Sequence, residues 1–190
     1  MTERPAHITL AIYPDRKGFG WVAFTGPFAV FDWGLAVARH DKSVVCLAKI
    51  EALLERLTPE TLVLEAYERP SATRADRLTR LCRAISALAA DRGVEVAVYT
   101  RADIAACFLD VGARTRDEIA FAVVRHVDVF RHRLPKRRKP WQAEDARMAL
   151  FSAAALVLTH YRLGASSLFE SLLPPHRPKS TNEHPFQPIE

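Results

Sequence analysis

Along the first fifth of the chain, apolar positions recur at the short period of extended strands. His7 to Tyr13 (HITLAIY), Phe19 to Thr25 (FGWVAFT) and Phe28 to Val37 (FAVFDWGLAV) are each rich in β-forming residues. Pro14–Gly18 and Gly26-Pro27 break the runs between them. Turns this short predict a three-stranded antiparallel meander. The period then lengthens. Val44, Leu47, Ile50, Leu54 and Leu57 form one helical stripe, opened by Asp41 or Ser43. Thr61-Leu62-Val63-Leu64-Glu65, between Pro59 and Pro70, is a short buried strand that runs straight into a carboxylate. Ser71 or Thr73 opens a second helix with Leu78, Leu81, Ile85 and Leu88 on one face, and Gly93 stops it. Val94 to Tyr99 (VEVAVY) is a fifth strand. Three helices follow: Ala102 to Leu109, Thr115 to Phe130, and Gln142 to about Arg162. Strands four and five alternate with helices and are therefore expected to be parallel. The pattern predicts an α/β protein whose five-stranded mixed sheet, three antiparallel strands then two parallel, carries helices on both faces.

A chain of 190 residues suits one domain, placed at residues 1–163. From Gly164 onward five of the 12 prolines appear (Pro174, Pro175, Pro178, Pro185, Pro188), so residues 164–190 read as a disordered tail. The sequence shows no apolar run of bilayer-spanning length, no membrane partner is expected, and Met1–Pro5 has no signal-peptide pattern. Cys46, Cys82 and Cys107 lie far apart without metal-ligand spacing and read as reduced core thiols, which makes a cytoplasmic protein the expectation.

The net charge of +5 permits a nucleic-acid partner, and its placement says more. Between Arg131 and Lys139 stand six cations (Arg131, Arg133, Lys136, Arg137, Arg138, Lys139) and no acid. Such a tract repels itself unless anions are near, and nucleic-acid phosphates are the usual ones; its bland reading is a solvated loop. Arg74, Arg77, Arg80 and Arg83 recur every three residues along the second helix, with Arg69 just before them and only Asp76 to balance them. Trp141, beside the basic tract, is a stacking candidate, whereas Trp21 and Trp33 suit the core.

Two groups of acids suggest chemistry. A carboxylate ending a buried strand, Glu65, is costly to desolvate unless a cation meets it, though it can equally cap the strand in solvent. Glu144 and Asp145 open the last helix, where acids also suit the helix dipole. Asp145 shares a helical face with Ala149, Ser152 and Leu156 and is expected to point inward. An inward Asp145 meeting Glu65 makes a carboxylate pair that a hard cation, Mg²⁺ or Mn²⁺, would stabilise.

The order of elements, with Glu65 ending the fourth strand and Asp145-Ala146 in the final helix, resembles the ribonuclease H-like fold, and more closely the RuvC-type Holliday junction resolvases. The resemblance covers roughly residues 7–162. Ile12-Tyr13-Pro14-Asp15 with Gly20-Trp21 looks like the family's first-strand motif, and Arg114-Thr115-Arg116-Asp117-Glu118-Ile119 like its basic helix start. The resemblance implies a homodimer that cuts branched DNA with two divalent ions, with Arg116 as a phosphate contact or electrostatic stabiliser. Two positions depart from the pattern. The family's first metal-binding Asp falls on Tyr13, whose phenol is a poor ligand at neutral pH, and another of its acids falls near Gln142. Asp15 and Glu144 are the candidate replacements, with Asp32 a remote third.

Two readings stand at this point. One is a divalent-metal-dependent endonuclease on junction DNA, with catalytic Glu65, Asp145, Asp15 and Glu144, metal ligands Glu65, Asp145 and Asp15, and DNA contacts from Arg74, Arg77, Arg80, Arg116, Lys136, Arg137, Arg138 and Lys139. The other is a nucleic-acid-binding or assembly protein that kept the fold and lost the metal site.

Overall fold

The structure is a computed structural model that describes residues 7–66, 73–136, 141 and 143–172, without the side chains of 73–76 and 166–172. Strands β1 (Thr9–Pro14), β2 (Gly18–Gly26) and β3 (Ala29–Val37) form the expected meander. Helix α1 (Lys42–Leu57) leads to β4 (Thr61–Glu65), and α2 (Thr73–Ala90) leads to β5 (Glu95–Tyr99). Then come α3 (Arg101–Phe108), α4 (Arg116–His126) and α5 (Met148–Leu172), with 3₁₀ turns at Leu109–Val111 and Asp128–Arg133. The sheet order is β3-β2-β1-β4-β5, with β4 parallel to both β1 and β5. The α/β mixed sheet with helices on both faces is therefore as the sequence predicts.

Strand periodicity decides which side chains meet which helices. Leu10 and Ile12 of β1, with Leu62 and Leu64 of β4, pack on the side of α1 and α2. Ala11, Val22, Phe24 and Val63 face the other way, into a core shared with α3, α4 and α5. Tyr13 and Glu65 each lie two residues beyond the paired Ala11 and Val63, so they end adjacent strands on the α5 face. Gly20, paired with Tyr13, lets α5 approach there: a Cβ on Gly20 would lie 2.3 Å from the carbonyl carbon of Ala149. Gly20→Ala must therefore move the first turn of α5 off the sheet. Forced overpacking of this kind costs ~1–3 kcal/mol or more, and the expected outcome is a clear drop in the urea unfolding midpoint.

Several boundaries differ from those read in the sequence. The last helix starts at Met148, not Gln142. Asp145 Oδ1 accepts the backbone N–H of Arg147, and the carbonyls of Asp145, Ala146 and Arg147 accept from residues three further on. An aspartate that bonds its own backbone competes with helix in this way. At its other end α5 runs through Gly164 to Leu172, into the segment assigned to the tail; residues 173–190 lie outside those described. Its stretch Met148–Ala165 is long and apolar enough to cross a membrane by length and composition, contrary to the sequence reading, yet Ala153 to Val157 are buried against the sheet. Helix α4 stops at His126, where Val127 takes φ −129°, ψ 85°, and the chain resumes as the Asp128–Arg133 turn. Asp41 precedes α1 in a left-handed conformation and makes no side-chain cap.

Candidate nucleic-acid interface

Parallel strands bring their C-terminal ends to one edge, where α/β proteins place ligand crevices. At this edge a small cleft of about 60 Å³ is lined by Tyr13, Glu65, Arg101, Arg114, Arg116 and residues of α3 and α5, including Ser152. Thr100, directly after β5, caps α3 by accepting from Asp103 N–H, while Asp103 bonds back to Thr100 N–H. That reciprocal cap sets Arg101 at the mouth. Thr115 and Glu118 make the same box at the start of α4, and Glu118 also accepts from the N–H of Arg114. The two caps thus fix the backbone that carries all three arginines.

Arg116 is the hub of the cleft. Its Cζ lies 5.1 Å from the centre of the Tyr13 ring, a cation–π geometry. One terminal nitrogen meets Glu144 Oε1 at 2.6 Å, and the other donates to Ser152 Oγ at 2.7 Å. Glu65 is half-buried and also lies close to Cys82, whose thiol burial pushes up to about 12, with the negative charge of Glu65 adding to the rise. The carboxylate thus sits at a partly desolvated strand end.

The other nominated acids have local partners. Both oxygens of Asp145 are taken by Arg147, Nε at 3.0 Å and Nη2 at 2.6 Å, and these hydrogen bonds hold the carboxyl below the usual aspartate range. Asp15 Oδ1 accepts the backbone N–H groups of Lys17 and Gly18, both at 2.7 Å, which shapes the β1–β2 turn. Asp32 pairs with Arg56 at 2.7 Å, away from the cleft. The cleft lining contains Glu65 and none of Asp15, Asp32, Glu144 or Asp145.

Of the nominated cations, Arg116 lines the cleft. Arg77 is half-buried and donates to the carbonyl of Asp15 at 3.1 Å, so it braces the β1–β2 turn. Arg80 and Lys136 are exposed. The side chain of Arg74, and Arg137, Arg138 and Lys139, lie outside what the structure describes. Trp141 is exposed, Trp21 is buried and Trp33 packs against the core, as their sequence contexts suggested. Arg101 and Arg114 were missed as site residues. The signal for them lay in their positions beside capping threonines, Arg101 just after Thr100 and Arg114 just before Thr115.

Thermus thermophilus RuvC in complex with a Holliday junction aligns with a TM-score of 0.63 at 16% identity, covering 85% of this chain and 96% of that one. Another structure of T. thermophilus RuvC aligns at 0.59 with 19% identity, covering 84% and 96%. The fold is that of RuvC. The yeast mitochondrial Holliday junction resolvase Ydc2 aligns at 0.53 with 13% identity, covering 86% and 85%. No family model and no curated protein matches the sequence.

The resemblance to the resolvases implies two divalent ions, and the described side chains at this edge do not fit such a site. Among the described residues no three His, Cys, Asp or Glu side chains gather around one point. Hard divalent cations need several oxygen donors. Here Tyr13 lies beneath a guanidinium, Glu144 and Asp145 are paired with arginines, and Glu65 shares the cleft with three arginines. With Arg116 paired to Glu144, the lining still carries Arg101 and Arg114, both exposed, against the single carboxylate of Glu65, a balance that favours an anion over a second cation.

Proposed function

We propose that this chain is a nucleic-acid-binding protein on the RuvC fold, which grips a backbone phosphate of branched DNA in its arginine-lined cleft and does not cut it. The observation that carries the reading is the Arg116 guanidinium lying over Tyr13, on the strand end where the resemblance calls for a metal-binding aspartate. Guanidinium groups carried on capped backbone at one edge suit phosphate oxygens geometrically and electrostatically. Branched DNA is favoured as the partner because one fold neighbour is a Holliday junction complex. Two copies per junction would match its two-fold symmetry.

The second reading, a Mg²⁺- or Mn²⁺-dependent endonuclease on junction DNA, is favoured by one observation: Glu65 reaches the cleft from the expected strand end. The two are separated by a labelled four-way junction. Arg101→Ala combined with Arg114→Ala should weaken junction binding by about tenfold or more and lower the salt slope by about two. Wild-type protein with Mg²⁺ or Mn²⁺ should leave the junction intact. Unchanged affinity in the double variant would sink the first reading. Cleavage that both Glu65→Gln and Asp145→Asn abolish would establish the second.

A further inference from the structure

At the opposite end of the sheet lies a second feature that the cleft does not explain. The β2–β3 turn and the start of β3 face the junction of α4 with the Asp128–Arg133 turn, and between them runs an open groove of about 490 Å³. Its volume is in the range of ligand-holding clefts, about 300–1,000 Å³. Four aromatic rings stand in its walls: Phe28, Phe31, Trp33 and His126. Phe28 is 65% exposed and Phe31 48%, an unusual display for phenylalanine. The rings are arranged against one another, with Phe28 and His126 5.8 Å apart at 30° and Trp33 held edge-on by buried Phe130.

The charge around these rings has one sign left over. Two acids line the groove, and each is already neutralised: Asp32 by Arg56 and Asp128 by Arg131, both at 2.7 Å. Arg133 places its guanidinium 5.1 Å from the centre of the Trp33 ring. Among the described residues neither Arg133 nor Arg125, which lies in the last turn of α4 next to His126, has a carboxylate partner. A bare apolar groove would suit many occupants. Exposed rings flanked by uncompensated arginines suit bases with a phosphate backbone, since bases stack on aromatic faces while the cations track the phosphates. In duplex DNA those base faces are already stacked on one another. We infer that this groove binds single-stranded nucleic acid, stacking unpaired bases on Phe28 and Phe31 with Arg133 on the backbone. Such a site goes beyond the cleft, which takes phosphate whether or not bases are paired.

The test is fluorescence anisotropy with labelled oligo(dT) and, in parallel, a blunt duplex of the same length. Phe28→Ala and Phe31→Ala should each weaken oligo(dT) binding by about tenfold, the scale of one lost stacking contact, and leave duplex affinity unchanged. Both side chains are exposed, and circular dichroism should show a native fold. Arg133→Ala should lower the salt slope for oligo(dT) by about one. Unchanged oligo(dT) affinity in all three variants, or equal losses on oligo(dT) and duplex, would overturn the inference. So would a change in sedimentation behaviour on removing Phe28 and Phe31, which would identify the groove as a contact between copies along the edge strand β3. Loss of junction binding in the Arg101→Ala, Arg114→Ala protein with oligo(dT) binding intact would leave both sites standing and separate.

Discussion

Tyr13→Asp combined with Arg116→Ala is expected to create a Mn²⁺ site, whereas Tyr13→Asp alone is not. The reason lies in strand register. Tyr13 and Glu65 end neighbouring parallel strands, each two residues past the paired Ala11 and Val63, so an acid at position 13 stands beside Glu65 on the same face. Two carboxylates at that spacing disfavour each other's ionised form and are relieved by a cation. In the single variant the cation is already present, because the Arg116 guanidinium is 5.1 Å from the centre of the Tyr13 ring and would pair with the new acid. In the double variant it is gone, and hard oxygen donors take Mn²⁺ or Mg²⁺. Calorimetry should then show binding on the order of 10⁻⁴ M, the strength of weak oxygen-ligand cation sites. Equal binding by the single variant would mean that Arg116 is not what keeps a divalent ion out. Failure of the double variant would mean that Asp145, held by Arg147, cannot be recruited as a third ligand.

The same geometry shows what was legible in the sequence. Strand identity, the meander and the parallel pair follow from short apolar, β-forming runs and the brief turns between them, because strands covered on both faces are apolar on both, and only the edge strand β3 alternates. Glu65 at the strand end was equally legible. The cleft was not, because it depends on side chains choosing partners across the fold. Asp145 has the right neighbours for an inward helical acid, yet its own Arg147, two residues on, offers a closer match than any remote carboxylate, and the helix starts later as a result. Asp15 has the right distance from Tyr13, but an aspartate three residues before a glycine satisfies turn N–H groups first. The resemblance makes Arg116 a phosphate contact or electrostatic stabiliser, and the structure adds the Tyr13 ring, Glu144 and Ser152 around it. Periodicity predicts which face a residue occupies; it does not predict which of several charges at the same edge will pair.

Removing Phe130 should have the largest effect on stability. Phe130 is fully buried in a 3₁₀ turn whose neighbours Arg131, His132 and Arg133 are exposed. Its ring stands edge-on to Trp33 at 5.7 Å and to Phe151 at 6.2 Å, so one side chain pins the turn to both β3 and α5. Such contacts contribute ~0.5–1.5 kcal/mol each beyond area burial. Phe130→Ala leaves a ring-sized void in a close-packed region and should cost ~3–5 kcal/mol, a large share of the ~5–15 kcal/mol that stabilises an ordinary domain. Phe130→Leu keeps most of the volume and should cost less than half of that. Urea unfolding of the two variants measures both values. The turn that Phe130 anchors also carries Arg133 to the groove. If Phe130 holds it there, amide exchange across Asp128–Arg133 should rise in Phe130→Ala well before exchange in β1 and β4 does, since local opening is set by local contacts. A uniform rise would mean that Phe130 supports the whole domain, and a loss below ~1 kcal/mol would mean that the turn is held by its backbone bonds alone.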